Sequence, residues 1–237
     1  MTARRVAGAV LLATLVLAAS ACVPDDGLPP FEGNPNGRTV AVVGDSITNM
    51  IELALWLDLG KTYRSSINAA YGRVLDPLMD TGTGDPSWWT YARDNAAKYA
   101  ARRPDYAVVS LGVNDGNRFT FNFPTRTNAE VDAHVARTEG FLESFMAIFP
   151  SSVRCLVLVT VVPSSLGAAP LQRWFQKWNG EVLPRMAAKY PRVRIADWAT
   201  AVKGHESVWL RDTVHPSEAG AMPMSDVISN ALGTCPA

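Results

Sequence analysis

Short apolar runs separated by longer amphipathic stretches constrain this chain more than any other feature of it. Residues 39–43, 106–111, 154–161 and 192–196 are short, β-branched and largely continuous in apolar character, with a weaker run near 63–68. Strands that read this way are covered on both faces, as in parallel sheets. Helices are expected over 47–58, 88–102, 128–148, 170–189 and 216–232. Pro104 and Pro150-Ser151 mark two helix ends, and Pro216 suits the first turn of the last. Alternation of this kind predicts an α/β fold, a parallel sheet of about five strands with helices on both sides. No internal repeat or second domain boundary interrupts it.

Ligands of such open sheets bind beyond the carboxyl ends of the strands. Gly44-Asp45-Ser46-Ile47-Thr48 follows the first strand directly, and Leu111-Gly112-Val113-Asn114-Asp115-Gly116 follows the strand ending at Leu111. Asp212 and His215 precede the last helix. Topology therefore predicts that Ser46, Asn114, Asp212 and His215 meet at one rim. A serine hydroxyl is a weak nucleophile and needs a base. His215 is the candidate, because it alone of the three histidines has a carboxylate at close spacing in a loop. Asp212 would fix its tautomer and stabilise the imidazolium. The developing oxyanion needs preorganised donors. Ser46 N–H, the Asn114 amide and Gly72 N–H are the candidates, the last because glycine permits close backbone approach.

Composition narrows the function classes. The chain has 237 residues, 22 basic and 22 acidic, so nothing in its charge suggests nucleic acid or a polyanionic partner. Residues 1–21 read as a signal peptide: Arg4 and Arg5, then an apolar core from Val6 to Ala19, then Ala19-Ser20-Ala21 before Cys22. Leu-Ala-Ala-Ser-Ala-Cys resembles bacterial lipoprotein signals, with Ala19 where Leu is usual. Cys22 is thus expected to carry the lipid of a membrane anchor, and simple cleavage leaving an unmodified Cys22 is the alternative. Residues 22–38 read as a polar tether before a domain spanning 39–237. Cys155 and Cys235 remain as an even pair that can form a disulfide; alternatively Cys155 is a buried apolar residue and Cys235 is free.

The three motifs together resemble the SGNH (GDSL-type) hydrolase family. Gly44-Asp45-Ser46-Ile47-Thr48 resembles its block I and carries the nucleophile. Leu111 to Gly116 resembles block III and carries Asn114. Asp212-Thr213-Val214-His215-Pro216 resembles block V, with the His-Pro-x-x-x-Gly register completed by Gly220. Block II departs from the pattern: Asn68-Ala69-Ala70-Tyr71-Gly72 sets its glycine one position early, so Gly82 and Gly84 stay open beside Gly72. The resemblance implies a flavodoxin-like three-layer α/β/α fold, no metal or organic cofactor, and hydrolysis of esters through an acyl-enzyme. An α/β-hydrolase is disfavoured, because Thr48 stands where its Gly-x-Ser-x-Gly elbow needs glycine and Ser46 follows the first strand.

The expected function is an exported serine esterase acting on an acylated glycan or lipid, with no obligate protein partner. An acyltransferase on cell-envelope glycans and a catalytically silent glycan-binding protein are the alternatives. A long apolar groove near Ser46 would favour lipids, and exposed aromatics with polar groups would favour acylated sugars. Asp45 is expected to cap or turn, Asp115 to mark a loop and His134 to lie solvated on a helix surface. His205-Glu206 lacks the second histidine of a zinc motif. Trp88, Trp89, Trp174 and Trp178 are expected to pack on helix faces rather than line a site.

Overall fold

The computed structural model describes residues 26–76, 92–121, 125–163 and 168–236. Six strands form one sheet: β1 (Glu32–Gly33), β2 (Thr39–Gly44), β3 (Arg64–Ala69), β4 (Tyr106–Ser110), β5 (Cys155–Val159) and β6 (Val193–Ala196). Their order is β1-β3-β2-β4-β5-β6, all parallel except β1, which runs antiparallel to β3 at the edge. The α/β class and the five parallel strands are as expected. The sixth, β1, was not, because a two-residue strand has no period to read.

Helices are α1 (Ser46–Met50), α2 (Glu52–Leu59), α3 (Ala92–Arg102), α4 (Val113–Phe121), α5 (Asn128–Ile148), α6 (Ala169–Lys177), α7 (Leu183–Lys189), α8 (Trp198–Ala201), α9 (Glu206–Trp209) and α10 (Glu218–Gly233). A π-helical turn, Trp178–Val182, joins α6 to α7. The α5 boundaries match the sequence reading. Thr127 fixes its start in a capping box with Glu130. Residues 88–91 of the expected third helix lie outside the described residues.

The core follows from strand composition. Every residue of Val40–Gly44, Tyr106–Ser110 and Cys155–Val159 is buried, as central strands covered on both faces require. Trp174 and Trp178 are wholly buried, with rings stacked 5.0 Å apart, so helix packing is their role. Trp88 and Trp89 lie outside the described residues. Cys155 and Cys235 are disulfide-bonded, joining the start of β5 to the segment after α10.

The expected tether is corrected. From Asp26 onward the segment is docked on the domain. Leu28 is buried, Arg102 binds both Asp26 carboxylate oxygens, and Arg102 Nη1 donates to Pro29 O at 2.6 Å. Asn34 N–H reaches Tyr63 O at 3.0 Å as β1 pairs with β3. Proline and glycine content suggested a flexible linker, but Leu28 and Phe31 supply apolar anchors that such counting overlooks. Phe31 packs on Tyr99 with ring centroids 6.3 Å apart. A chain starting at Asp26 should therefore melt with one starting at Cys22. A chain starting at Thr39 should lose on the order of 3 kcal/mol and melt several degrees lower. Equal melting temperatures for all three would contradict the docking.

Candidate active site

Register at the carboxyl ends of β2, β3 and β4 builds the site. Gly44 stands beside Ala69 on one side and Ser110 on the other, so the loops after all three strands open at one level. Gly44 has to be glycine: a Cβ there would sit 2.0 Å from Thr48 Oγ1. Asp45 caps α1 by accepting from Ile47 N–H at 3.0 Å, which sets Ser46 as the first residue of the helix. The capping role expected of Asp45 is the one it has.

His215 arrives from the far end of the chain. Its Nε2 lies 2.9 Å from Ser46 Oγ, and its Nδ1 lies 2.8 Å from Asp212 Oδ2. The other Asp212 oxygen accepts from His215 N–H at 2.8 Å and Val214 N–H at 2.9 Å, so the carboxylate is held at both ends. Burial pushes the Asp212 carboxyl upward, but these two N–H groups and the imidazole outweigh it and leave it below its ordinary value. An ionised Asp212 accepts a hydrogen bond from Nδ1–H and so keeps the proton on Nδ1, leaving Nε2 to accept the serine proton.

Downstream packing fixes this loop. Ser217 caps α10 through Gly220 N–H at 3.1 Å, while its own hydroxyl donates to Val208 O at 2.6 Å. A Cβ on Gly220 would meet Trp209 O at 2.0 Å, so only glycine lets α10 approach α9 there. The glycine register after His215 thus has a steric cause.

The loops that carry the oxyanion candidates are tied to one another. Ala70 N–H donates to Gly44 O at 3.2 Å, tying the turn after β3 to the end of β2. Gly72 follows with φ of +70°, a left-handed conformation that favours glycine. Asn114, in the first turn of α4, donates through Nδ2 to Arg73 O at 3.1 Å. A carboxamide carries two N–H bonds, so the second can serve an oxyanion. Gly82 and Gly84 lie outside the described residues.

Arg73 is a residue that motif reading passed over. Buried beneath the rim, its guanidinium donates to Gly44 O at 2.9 Å, Asn68 O at 2.6 Å and Asn68 Oδ1 at 2.6 Å. It therefore fastens the end of β2 to the end of β3, while its carbonyl holds Asn114. The sequence signal was an arginine immediately after the block II glycine, within an apolar stretch. Burial lowers its pKa to about 10, although Asp45 nearby works the other way.

Two expectations about polar residues are corrected. Asp115 is more than a loop signal: fully buried, it accepts from Leu75 N–H at 3.0 Å and Asp76 N–H at 2.9 Å and anchors the segment after Arg73. His134 is buried on the inner face of α5. It accepts the Trp174 indole N–H at 2.8 Å and stacks on Phe119 at 4.0 Å. Burial, then Arg137 and Arg126, lower its pKa to about 3, so its 3.7 Å approach to Asp76 joins a neutral imidazole to the carboxylate. Glu130 and Glu139 suggested a solvated helix surface, but His134 lies on the stripe with Val131, Val135 and Thr138, which faces inward.

Comparison with known proteins agrees with this architecture. A nucleophile candidate after the first parallel strand of a three-layer fold, with His and Asp before the last helix, defines a class of serine hydrolases distinct from α/β-hydrolases. The model of the GDSL-like lipase/acylhydrolase family matches residues 42–222, and the chain belongs to that family of SGNH esterases. No curated protein matches the sequence. Among solved structures, the chain is similar to the C-terminal catalytic domain of Streptococcus pneumoniae peptidoglycan O-acetyltransferase A (20% identity, TM-score 0.57, covering 87% of this chain and 97% of that one). It is also similar to an acetylxylan esterase from Geobacillus stearothermophilus (17% identity, TM-score 0.58, 83% and 94%). The acetyl xylan esterase AlAXEase is comparable (17%, 0.58, 82% and 99%).

Asp45 gives the site a pH signature in stability. Burial raises its carboxyl to about 7; the Ile47 N–H opposes this, Asp115 adds to it and Arg73 opposes it. A folded-state pKa above the unfolded value favours folding at low pH, and that advantage disappears as pH rises to about 7. The melting temperature should therefore fall between about pH 5 and pH 8. Asp45→Asn, which keeps a capping oxygen, should flatten that fall and gain on the order of 1–2 kcal/mol at the upper end. Parallel pH profiles for parent and variant would show that Asp45 is ionised throughout.

Proposed function

We propose that this chain is an exported serine esterase that removes small acyl groups, foremost acetyl, from glycan hydroxyls. The 2.9 Å contact between Ser46 Oγ and His215 Nε2 carries the reading. His215 Nε2 takes the Ser46 proton as Oγ attacks the ester carbonyl carbon, and the carbonyl electron pair moves onto oxygen. Ser46 N–H, Gly72 N–H and Asn114 Nδ2 are the donors to that oxyanion. Its collapse breaks the bond to the sugar oxygen, which leaves with the proton from His215. Water, deprotonated by His215, then attacks the acyl-enzyme, releasing the carboxylic acid and restoring Ser46 Oγ–H.

Acetyl on a sugar is favoured because the similar structures include enzymes named for acetylxylan and for peptidoglycan O-acetylation. Transfer to a second sugar hydroxyl in place of water is the other reading, favoured by the likeness to the O-acetyltransferase domain. Purified protein should hydrolyse p-nitrophenyl acetate. Ser46→Ala and His215→Ala should each lose at least about three orders of magnitude in kcat, and Asn114→Ala about two. Wild-type rates in both triad variants would refute the assignment. Acetate release from an acetylated oligosaccharide, without acetylated acceptor, would separate hydrolysis from transfer.

Export rests on residues 1–21 as signal peptide, with Cys22 as the lipidated N-terminus. The Cys155–Cys235 disulfide suits an oxidising compartment. Since Asp26 is already docked on the domain, the four residues from Cys22 limit its distance from the domain to at most about 14 Å. A lipidated Cys22 would hold the esterase close to the bilayer rather than on a long stalk. Labelled palmitate should enter the full-length chain and not its Cys22→Ser variant; equal labelling would contradict lipidation at Cys22.

A further inference from the structure

A groove of about 460 Å³ lies on the side of α1 and α2 away from α10, between these helices and the edge strand β1. Ser65 and Ile67 of β3 form its floor, and Asn49, Leu53 and Trp56 form one wall. The opposite wall is the docked segment at Pro29–Glu32. Asn49 and Met50 follow Ser46 on α1 at the spacings that share its helix face, and Leu53, Trp56 and Leu57 share one face of α2. Ile51, with φ −104° and ψ 7°, separates the two helices, so Asn49 and Met50 belong to the helix of Ser46, and Leu53 and Trp56 to the next. With a rise of about 1.5 Å per residue, the groove opens about one turn below the nucleophile. Its floor runs from Ile67, level with Val42, to Ser65, level with Val40, so a chain of several sugars would reach it from the Gly44 rim.

Its chemistry is specific. Trp56 and Leu53 are 42% and 70% exposed, an aromatic and an aliphatic surface held open on a helix. Glu32 and Glu52 are two carboxylates at the groove, and none of its lining residues is Lys, Arg or His. Ser65 is buried, and its Oγ has no hydrogen-bond partner among the described residues. Carboxylates without a cation disfavour phosphate and anionic headgroups. An acyl chain would cover both carboxylates with nothing to bond them. A neutral sugar chain meets these features: its C–H faces pack on the indole ring and its hydroxyls donate to the carboxylates.

We propose that this groove is a binding subsite for a neutral oligosaccharide, which positions the acylated sugar of the same chain at Ser46. The proposal rests on the glycan-esterase reading above, but its binding half can be measured without turnover. Ser46→Ala is titrated calorimetrically with xylohexaose, cellohexaose and chitohexaose, alone and with Trp56→Ala or Trp56→Phe. At least one hexasaccharide should bind, Trp56→Ala should weaken it about tenfold, and Trp56→Phe should recover most of that loss. In the Ser46 enzyme, Trp56→Ala should lower the ratio of kcat/KM on the acetylated hexasaccharide to that on p-nitrophenyl acetate about tenfold, mainly through KM. Circular dichroism checks that each variant is folded. The proposal is overturned if no hexasaccharide binds, if Trp56→Ala binds as its parent does, or if phosphatidylcholine vesicles bind through Trp56 while sugars do not. Failure of the Ser46 enzyme on p-nitrophenyl acetate would count against the hydrolase reading, leaving the binding result to be judged separately.

Discussion

The hydrogen bond from Ser46 Oγ to His215 Nε2 joins residues 169 positions apart, and the site depends on it. Nothing local brings the two together. Ser46 is placed by the end of β2 and the Asp45 cap, while His215 is placed by Asp212 and the seating of α10 against α9. Two glycines make these placements possible for the same steric reason. Gly44 admits Thr48 and Gly220 admits the Trp209 carbonyl, and at each a Cβ would fall 2.0 Å from its neighbour. The glycines bracketing the two motifs are therefore packing requirements of a contact spanning nearly the whole domain.

Beneath that contact lies a layer of buried polar groups. Arg73 draws the ends of β2 and β3 together and presents its carbonyl to Asn114, while Asp115 pins the following backbone. The hydrogen bonds that the carboxyls accept and the guanidinium donates reduce the cost of this polarity in a dry interior. The result is a hydrogen-bonded layer under Ser46 and Asn114, where preorganisation would serve the proposed oxyanion donors. The proposed sugar groove begins at Asn49, three residues after Ser46 on α1, and continues along α2 to Trp56.

Much of this was legible in the sequence where a period or a motif carried it. The apolar runs gave the five parallel strands because central strands must be apolar on both faces. Ser46, Asn114, Asp212 and His215 were readable because each follows a strand or precedes a helix at a fixed offset. Contacts that arise only from packing were not readable. His134 seemed solvated beside Glu130 and Glu139, yet its position one turn from Val131 and Thr138 turned it inward onto Trp174. The segment before Thr39 seemed a linker, since two apolar side chains and one Arg102–Asp26 pair carry no period. Trp56 drew no attention because an aromatic on an amphipathic helix is ordinarily core; only the edge position of α2 leaves it exposed.

The central claim is that Ser46 is a nucleophile activated by His215. Intact-mass and peptide analysis after exposure to a fluorophosphonate probe tests it most directly, since the probe reports covalent reactivity without any assumption about the natural ester. The account predicts a single adduct on the peptide bearing Ser46, absent in Ser46→Ala and formed at least about a hundredfold more slowly in His215→Ala. An unlabelled wild-type chain, or an adduct on another residue that persists in Ser46→Ala, would contradict it.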